Sequence, residues 1–139
     1  MNKLSIIGLP ELRAALLALP KELVDEASDI VEDSAQRAAA DIIASYPSRT
    51  GNLRKGIRVS RRRLSNFAVL AFVVQRAPHA WIFEHGTQAR HNAIGANRGS
   101  MPPGWVFVPR VMRYRAEMYR RLAAMVERHG LEVTYAEAA

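Results

Sequence analysis

The sequence predicts an α+β domain: helices first, then a mostly antiparallel sheet of about four strands, then a C-terminal helix packed on that sheet. Three observations carry this reading. Apolar residues recur every three or four positions as far as Pro47, the period changes to two beyond it, and the helical spacing returns after Pro109. The chain has 139 residues, 49% of them hydrophobic and 24% charged, which suits one globular domain over 1–139 and not two.

Residues 1–9 read as a short extended lead-in, and Leu4 to Leu9 is too short an apolar run for a secretory h-region. Pro10 sits at a favourable first helical position, and Leu12, Leu16 and Leu19 give a short amphipathic helix that Pro20 interrupts. A longer helix follows from Lys21 to Ser45. Its apolar face is Val24, Ala27, Val31, Ala35, Ala38 and Ile42, and Asp25, Asp29, Glu32, Asp33 and Asp41 lie around the other side. Tyr46-Pro47 ends it, because a residue before proline avoids the helical region.

Four strands are expected next. Gly56 to Ser60 is the first, and Arg61 to Ser65 an exposed hairpin connection. Asn66 to Gln75 is the second, apolar on both faces, as in a central strand covered on both sides. Ala80 to Glu84 is the third, and Trp105 to Val108, closed by Pro109, the fourth. Between these last two lies the Gly-rich stretch Gly86 to Gly104, longer than most loops inside a compact domain and so expected to be functional, ordering against a neighbour. Trp81 and Trp105 read as core residues, or as interface anchors if exposed. The closing helix runs from Arg110 to Arg128, with Val111, Tyr114, Met118, Leu122 and Met125 on one face and Gly130 as its C-cap. Leu131 to Tyr135 alternates as an edge strand does, paired within the protein or added to a neighbour's sheet, and 131–139 forms a C-terminal tail.

Net charge is +7 and unevenly placed. Residues 1–41 hold eight acidic and four basic side chains; 42–139 hold sixteen basic and five acidic. Seven cations, Arg49, Arg54, Lys55, Arg58, Arg61, Arg62 and Arg63, fall within fifteen residues with no acid among them. Arginine suits a fixed grip on carboxylate or phosphate. The run therefore points to a polyanion or to an acidic neighbour, including the acidic helix of a second copy. No stacking-aromatic pattern or helix-turn-helix spacing accompanies it, so sequence recognition of nucleic acid is not implied.

The chain lacks cysteine, a Gly-x-Ser-x-Gly elbow and a Gly-Lys-Ser/Thr phosphate loop. His79, Glu84 and His85 do not have the spacing of a helical zinc motif. On a strand, Glu84 and His85 would point to opposite faces. No catalytic, cofactor or metal site is expected, nor a membrane span. Glu84 is read either as an acceptor for the Gly86-Thr87 turn or as an intersubunit partner of an arginine.

Two motifs remain. Pro47, Thr50, Gly51, Leu53, Arg54 and Ile57 stand in the register Pro-x-x-Thr-Gly-x-Leu-Arg-x-x-Ile. Ala80, Glu84, Gly86 and Thr87 follow as Ala-x-x-x-Glu-x-Gly-Thr, with Trp81 taking an aromatic role and His79 standing where an aromatic is usual. A Gly/Pro-rich loop, Phe107-Val-Pro109 and a closing helix complete the order. The arrangement, over residues 8–128, resembles the neck (tail-completion) proteins of long-tailed bacteriophages. The resemblance implies a virion structural protein assembled in the host cytoplasm without cofactor. It would form a homo-oligomeric ring of six copies, with twelve as the alternative, at the head–tail junction. Its partners would be the adjoining head-closure or connector proteins, tail-terminator or tail-tube proteins, and the DNA in the channel. Subunit or neighbouring-ring contacts are then expected at Arg49, Thr50, Gly51, Leu53, Arg54, Arg58, Arg61, Arg62, Arg63, Glu84, Gly86 and Thr87, and DNA-channel contacts at Arg90 and Arg98. The alternatives are a small basic nucleic-acid-binding protein and a tail-terminator or head-closure ring at another level of the same junction.

Overall fold

The computed structural model describes residues 21–65 and 68–130. The expected lead-in, the short helix after Pro10, the start of the second strand at Asn66 and the alternating segment 131–135 lie outside these residues.

Helix α1 (Lys21–Ser45) is the spine of the fold. Its buried arc is wider than the single stripe expected, because two layers pack against it. Leu23 and Ile30 join Met125 in one cluster, while Ala39 and Ile42 join Tyr46, Leu53, Ile57, Ala80 and Val106 in another. Ser28 and Ser34 are buried in this arc at no polar cost, since each hydroxyl donates to the carbonyl four residues back at 2.7 Å. After Tyr46 the chain makes one short helical turn, α2 (Asn52–Gly56), and enters the sheet.

Strands β1 (Ile57–Ser65) and β2 (Ala68–Gln75) pair antiparallel, with Ile57 opposite Gln75, Arg61 opposite Ala71 and Arg63 opposite Val69. Among the described residues the sheet has two strands, not four. The basic triplet Arg61 to Arg63 is part of β1 and not a hairpin connection. β2 is not covered on both sides either. Val69, Ala71 and Val73 face α1 and are half-buried, whereas Leu70, Phe72 and Val74 on the other face are 41%, 43% and 37% exposed.

The expected third strand is instead helix α3 (Ala80–His85). A four-residue apolar run, Ala80 to Phe83, carries too little period to separate strand from helix. Here Phe83 N donates to His79 O and Gly86 N to Ile82 O, closing helical turns at 3.0 and 2.8 Å. The expected fourth strand is the approach and first turn of helix α4 (Phe107–Arg128). Pro109 belongs to that first turn, where a missing N–H leaves no helical bond unmade.

Helix α4 packs chiefly along α1, antiparallel, and less on the sheet than expected. Ion pairs fix the register: Glu26 with Arg128, Asp33 with Arg121, Arg37 with Glu117 and Asp41 with Arg113. Steps of seven, four and four along α1 are matched by the same steps backward along α4. Each pair is partly solvated, so the ladder specifies alignment more than stability.

Candidate assembly surface

The motif from Pro47 to Ile57 turns the chain from helix to sheet. Gly51 adopts φ 69°, a left-handed conformation that favours glycine. Leu53 is buried in the core, and its carbonyl accepts a 2.9 Å bond from the Gln75 amide. Arg54 Nε donates to Tyr46 O at 2.8 Å, placing a cation at the negative C-terminal end of α1. At Gly56 a Cβ would stand 2.0 Å from the Gln75 side-chain oxygen and 2.8 Å from Ala77 N, so only glycine fits the turn into β1. Arg49 and Thr50, in contrast, are exposed.

Glu84 lies inside the chain, 7% exposed, because α3 turns it inward with Ala80, four residues earlier. Tyr46 Oη donates to Glu84 Oε1 at 2.8 Å. Val106 N and Phe107 N donate to the carboxylate at 2.9 and 3.1 Å. A buried negative group thus satisfies the first amides of α4, where the helix dipole favours it. Burial, and secondarily the Glu84 carboxylate, pushes the Tyr46 phenol up to about 12 against the opposing effect of the Gln75 amide. Gly86 beside it has φ 74°, and a Cβ there would meet Met101 O at 2.5 Å. Thr87 continues the contact: its amide donates to Met101 O at 2.8 Å and its hydroxyl accepts from Met101 N at 3.0 Å.

The basic run divides. Arg61 pairs with Glu32 of α1 at 2.6 Å, and the Arg58 guanidinium donates to the carbonyls of Lys55 and Ile57. The side chains of Arg49, Lys55 and Arg62 make no hydrogen bond or ion pair among the described residues. Arg63 lies on β1 opposite Val69. Cross-strand partners share a face, so Arg58 and Arg62 flank the exposed Phe72, opposite Val74 and Leu70. Four α1 carboxylates, Glu26, Glu32, Asp33 and Asp41, already hold arginines of the same chain. Much of the charge asymmetry seen in the sequence is therefore settled internally.

Residues 86–104 form an irregular ribbon. Arg90 N donates to Gly99 O at 3.1 Å, Arg98 N to Arg90 O at 2.6 Å and Asn92 N to Ala96 O at 3.0 Å, with Ile94 at the tip 88% exposed. The fold thus brings Arg90 and Arg98, eight positions apart in the chain, side by side on an exposed arm. No acidic residue occurs from His85 to Ala116.

An aromatic patch escaped the sequence reading. The Trp81 ring stacks on His85 at 4.6 Å, and His85 lies 5.9 Å from Trp105. Trp81 and Trp105 are 68% and 55% exposed, not core residues, and Trp105 holds φ 48°. Helical spacing of Trp81 and His85 was the available signal; reading the run as a strand hid it. Among the described residues no three His, Cys, Asp or Glu gather as metal ligands, and no helix is long and apolar enough to cross a membrane.

Residues 11–86, more than half the chain, match the model of a family described as "Bacteriophage HK97-gp10, putative tail-component". The match takes in α1, the glycine turn, both strands and α3, and ends at Gly86. No curated protein and no solved structure matches the chain.

Proposed function

The chain belongs to the HK97-gp10-like family of phage tail components, and from that premise we propose that it forms a ring of six copies at the neck, joining head to tail around the DNA channel. The observation that carries the proposal is the family match itself, which spans both motifs up to Gly86. As a tail component the chain is a structural protein of the virion. Twelve copies, matching the portal side, are the alternative. The partners are a second copy, the adjoining head-closure or connector protein, and the tail-terminator or tail-tube protein.

Three exposed features support an assembling role. The aromatic patch of Trp81, His85 and Trp105 has the composition of an interface anchor. The outward sheet face sets arginines beside uncovered apolar side chains. The ribbon carries Arg90 and Arg98 on neighbouring, exposed backbone, and two such cations would suit a channel-facing arm. That same pair favours the second reading, a small nucleic-acid-binding protein.

Deleting the gene tests the proposal. Filled heads and finished tails should accumulate unjoined, and the plasmid-borne gene should restore joining. Normal yields of joined particles would overturn the neck assignment.

A further inference from the structure

A groove of about 420 Å³ runs between β2 and α4, floored by the small α1 residues Ser34, Ala35 and Ala38. Its walls are Val69, Ala71 and Val73 on one side and Val111, Tyr114 and Met118 on the other, with the exposed Arg115 at the rim. No β1 residue lines it, so it follows the edge of β2 that β1 does not occupy. Along that edge every second amide and carbonyl of β2 lacks a sheet partner among the described residues. An apolar slot beside a free strand edge is the geometry that accepts an added strand: the backbone pairs with the edge and alternate side chains fill the slot.

We propose that this groove receives the C-terminal segment Leu131 to Tyr135 of a neighbouring copy as a third strand. The segment has the pattern required, with Leu131, Val133 and Tyr135 on one face. It is acidic, through Glu132 and the nearby Glu137, against a rim that carries Arg115. The chain's own segment is poorly placed to fill the groove. From Arg128 back to Met118 is roughly 15 Å along α4. Five extended residues cover only about 17 Å, reaching one end of the groove and not Val111. A neighbour's segment has no such tether. Strand donation from copy to copy is head-to-tail, the kind of contact that makes a ring when its rotation closes. The inference rests on the ring reading for its partner but not for its chemistry.

Hydrogen exchange on the full-length protein tests it, at low and high concentration and with a synthetic peptide of residues 131–139. Alternate amides of β2 should slow by about tenfold as concentration rises or peptide is added. The full-length Val133→Asp variant should keep its melting temperature and lose the concentration-dependent part. Protection of β2 that ignores concentration and peptide, or concentration-dependent protection that persists in Val133→Asp without peptide, would overturn strand donation. Native mass spectrometry of the same samples separates the two ideas. A closed ring without β2 protection sinks the strand and leaves the ring, whereas β2 protection in open chains sinks the ring and leaves the strand.

Discussion

The Tyr46 phenol donates a 2.8 Å hydrogen bond to the buried carboxylate of Glu84, 38 residues away in sequence. The contact joins the end of α1 to α3, and through Glu84 to the first amides of α4. One side chain from the second motif therefore fastens three helices. Glu84→Ala leaves a hydroxyl and two amides without their acceptor. It should cost about 2–4 kcal/mol in denaturant unfolding.

The same bond predicts a pH dependence. The phenol is held protonated beyond its ordinary value of about 10, up to about 12. A raised folded-state value means that this contribution is complete below pH 10 and is lost as pH climbs toward 12. Melting temperatures of wild type and Tyr46→Phe, compared from pH 8 to 12, should converge over that upper window.

The arginines should separate by role. Arg54→Glu removes a donor from Tyr46 O and sets a negative charge at the C-terminal end of α1, so thermal unfolding should show a loss of about 1–2 kcal/mol. The double variant Arg49→Glu and Arg62→Glu removes no side-chain hydrogen bond or ion pair among the described residues and should melt within about 0.5 kcal/mol of wild type. A complementation assay should nonetheless show the double variant failing to join heads to tails, because like charges placed across a subunit junction cost several kcal/mol, on the order of 2 or more.

How much of this was legible in the sequence depended on segment length. The long helices were, since α1 and α4 each repeat the helical spacing over several turns. The short runs at Ala80 and Trp105 were not: apolar composition alone suits strand and helix equally, and at the second the bonds to Val106 N and Phe107 N come from Glu84, remote from Trp105 in the chain. The motif residues stand out in the sequence, but the contacts they make within the chain do not. Leu53, Arg54 and Glu84 are fastened inside the chain, where they build the fold. The aromatic patch and the pairing of Arg90 with Arg98 depend on tertiary placement that no local pattern displays.

The ribbon arginines make a salt prediction. If Arg90 and Arg98 face phosphates, affinity for double-stranded DNA should fall with salt, and Arg90→Ala with Arg98→Ala should flatten the log–log slope by about 2. Both side chains are exposed, so the melting temperature should not move.

Trp81→Ala should leave stability within about 0.5 kcal/mol, because the ring is largely exposed. As an anchor at a subunit contact, its loss should weaken assembly by about 2 kcal/mol, roughly 30-fold, in a sedimentation assay with the adjoining neck and tail proteins.

The neck assignment itself is tested most directly by a cryo-EM reconstruction of the intact particle with this chain located in the density. The account predicts a closed ring of six copies between portal and tail tube, its Arg90–Arg98 ribbons directed at the channel. Density for this chain anywhere else in the particle, or its absence from the mature particle, would contradict it.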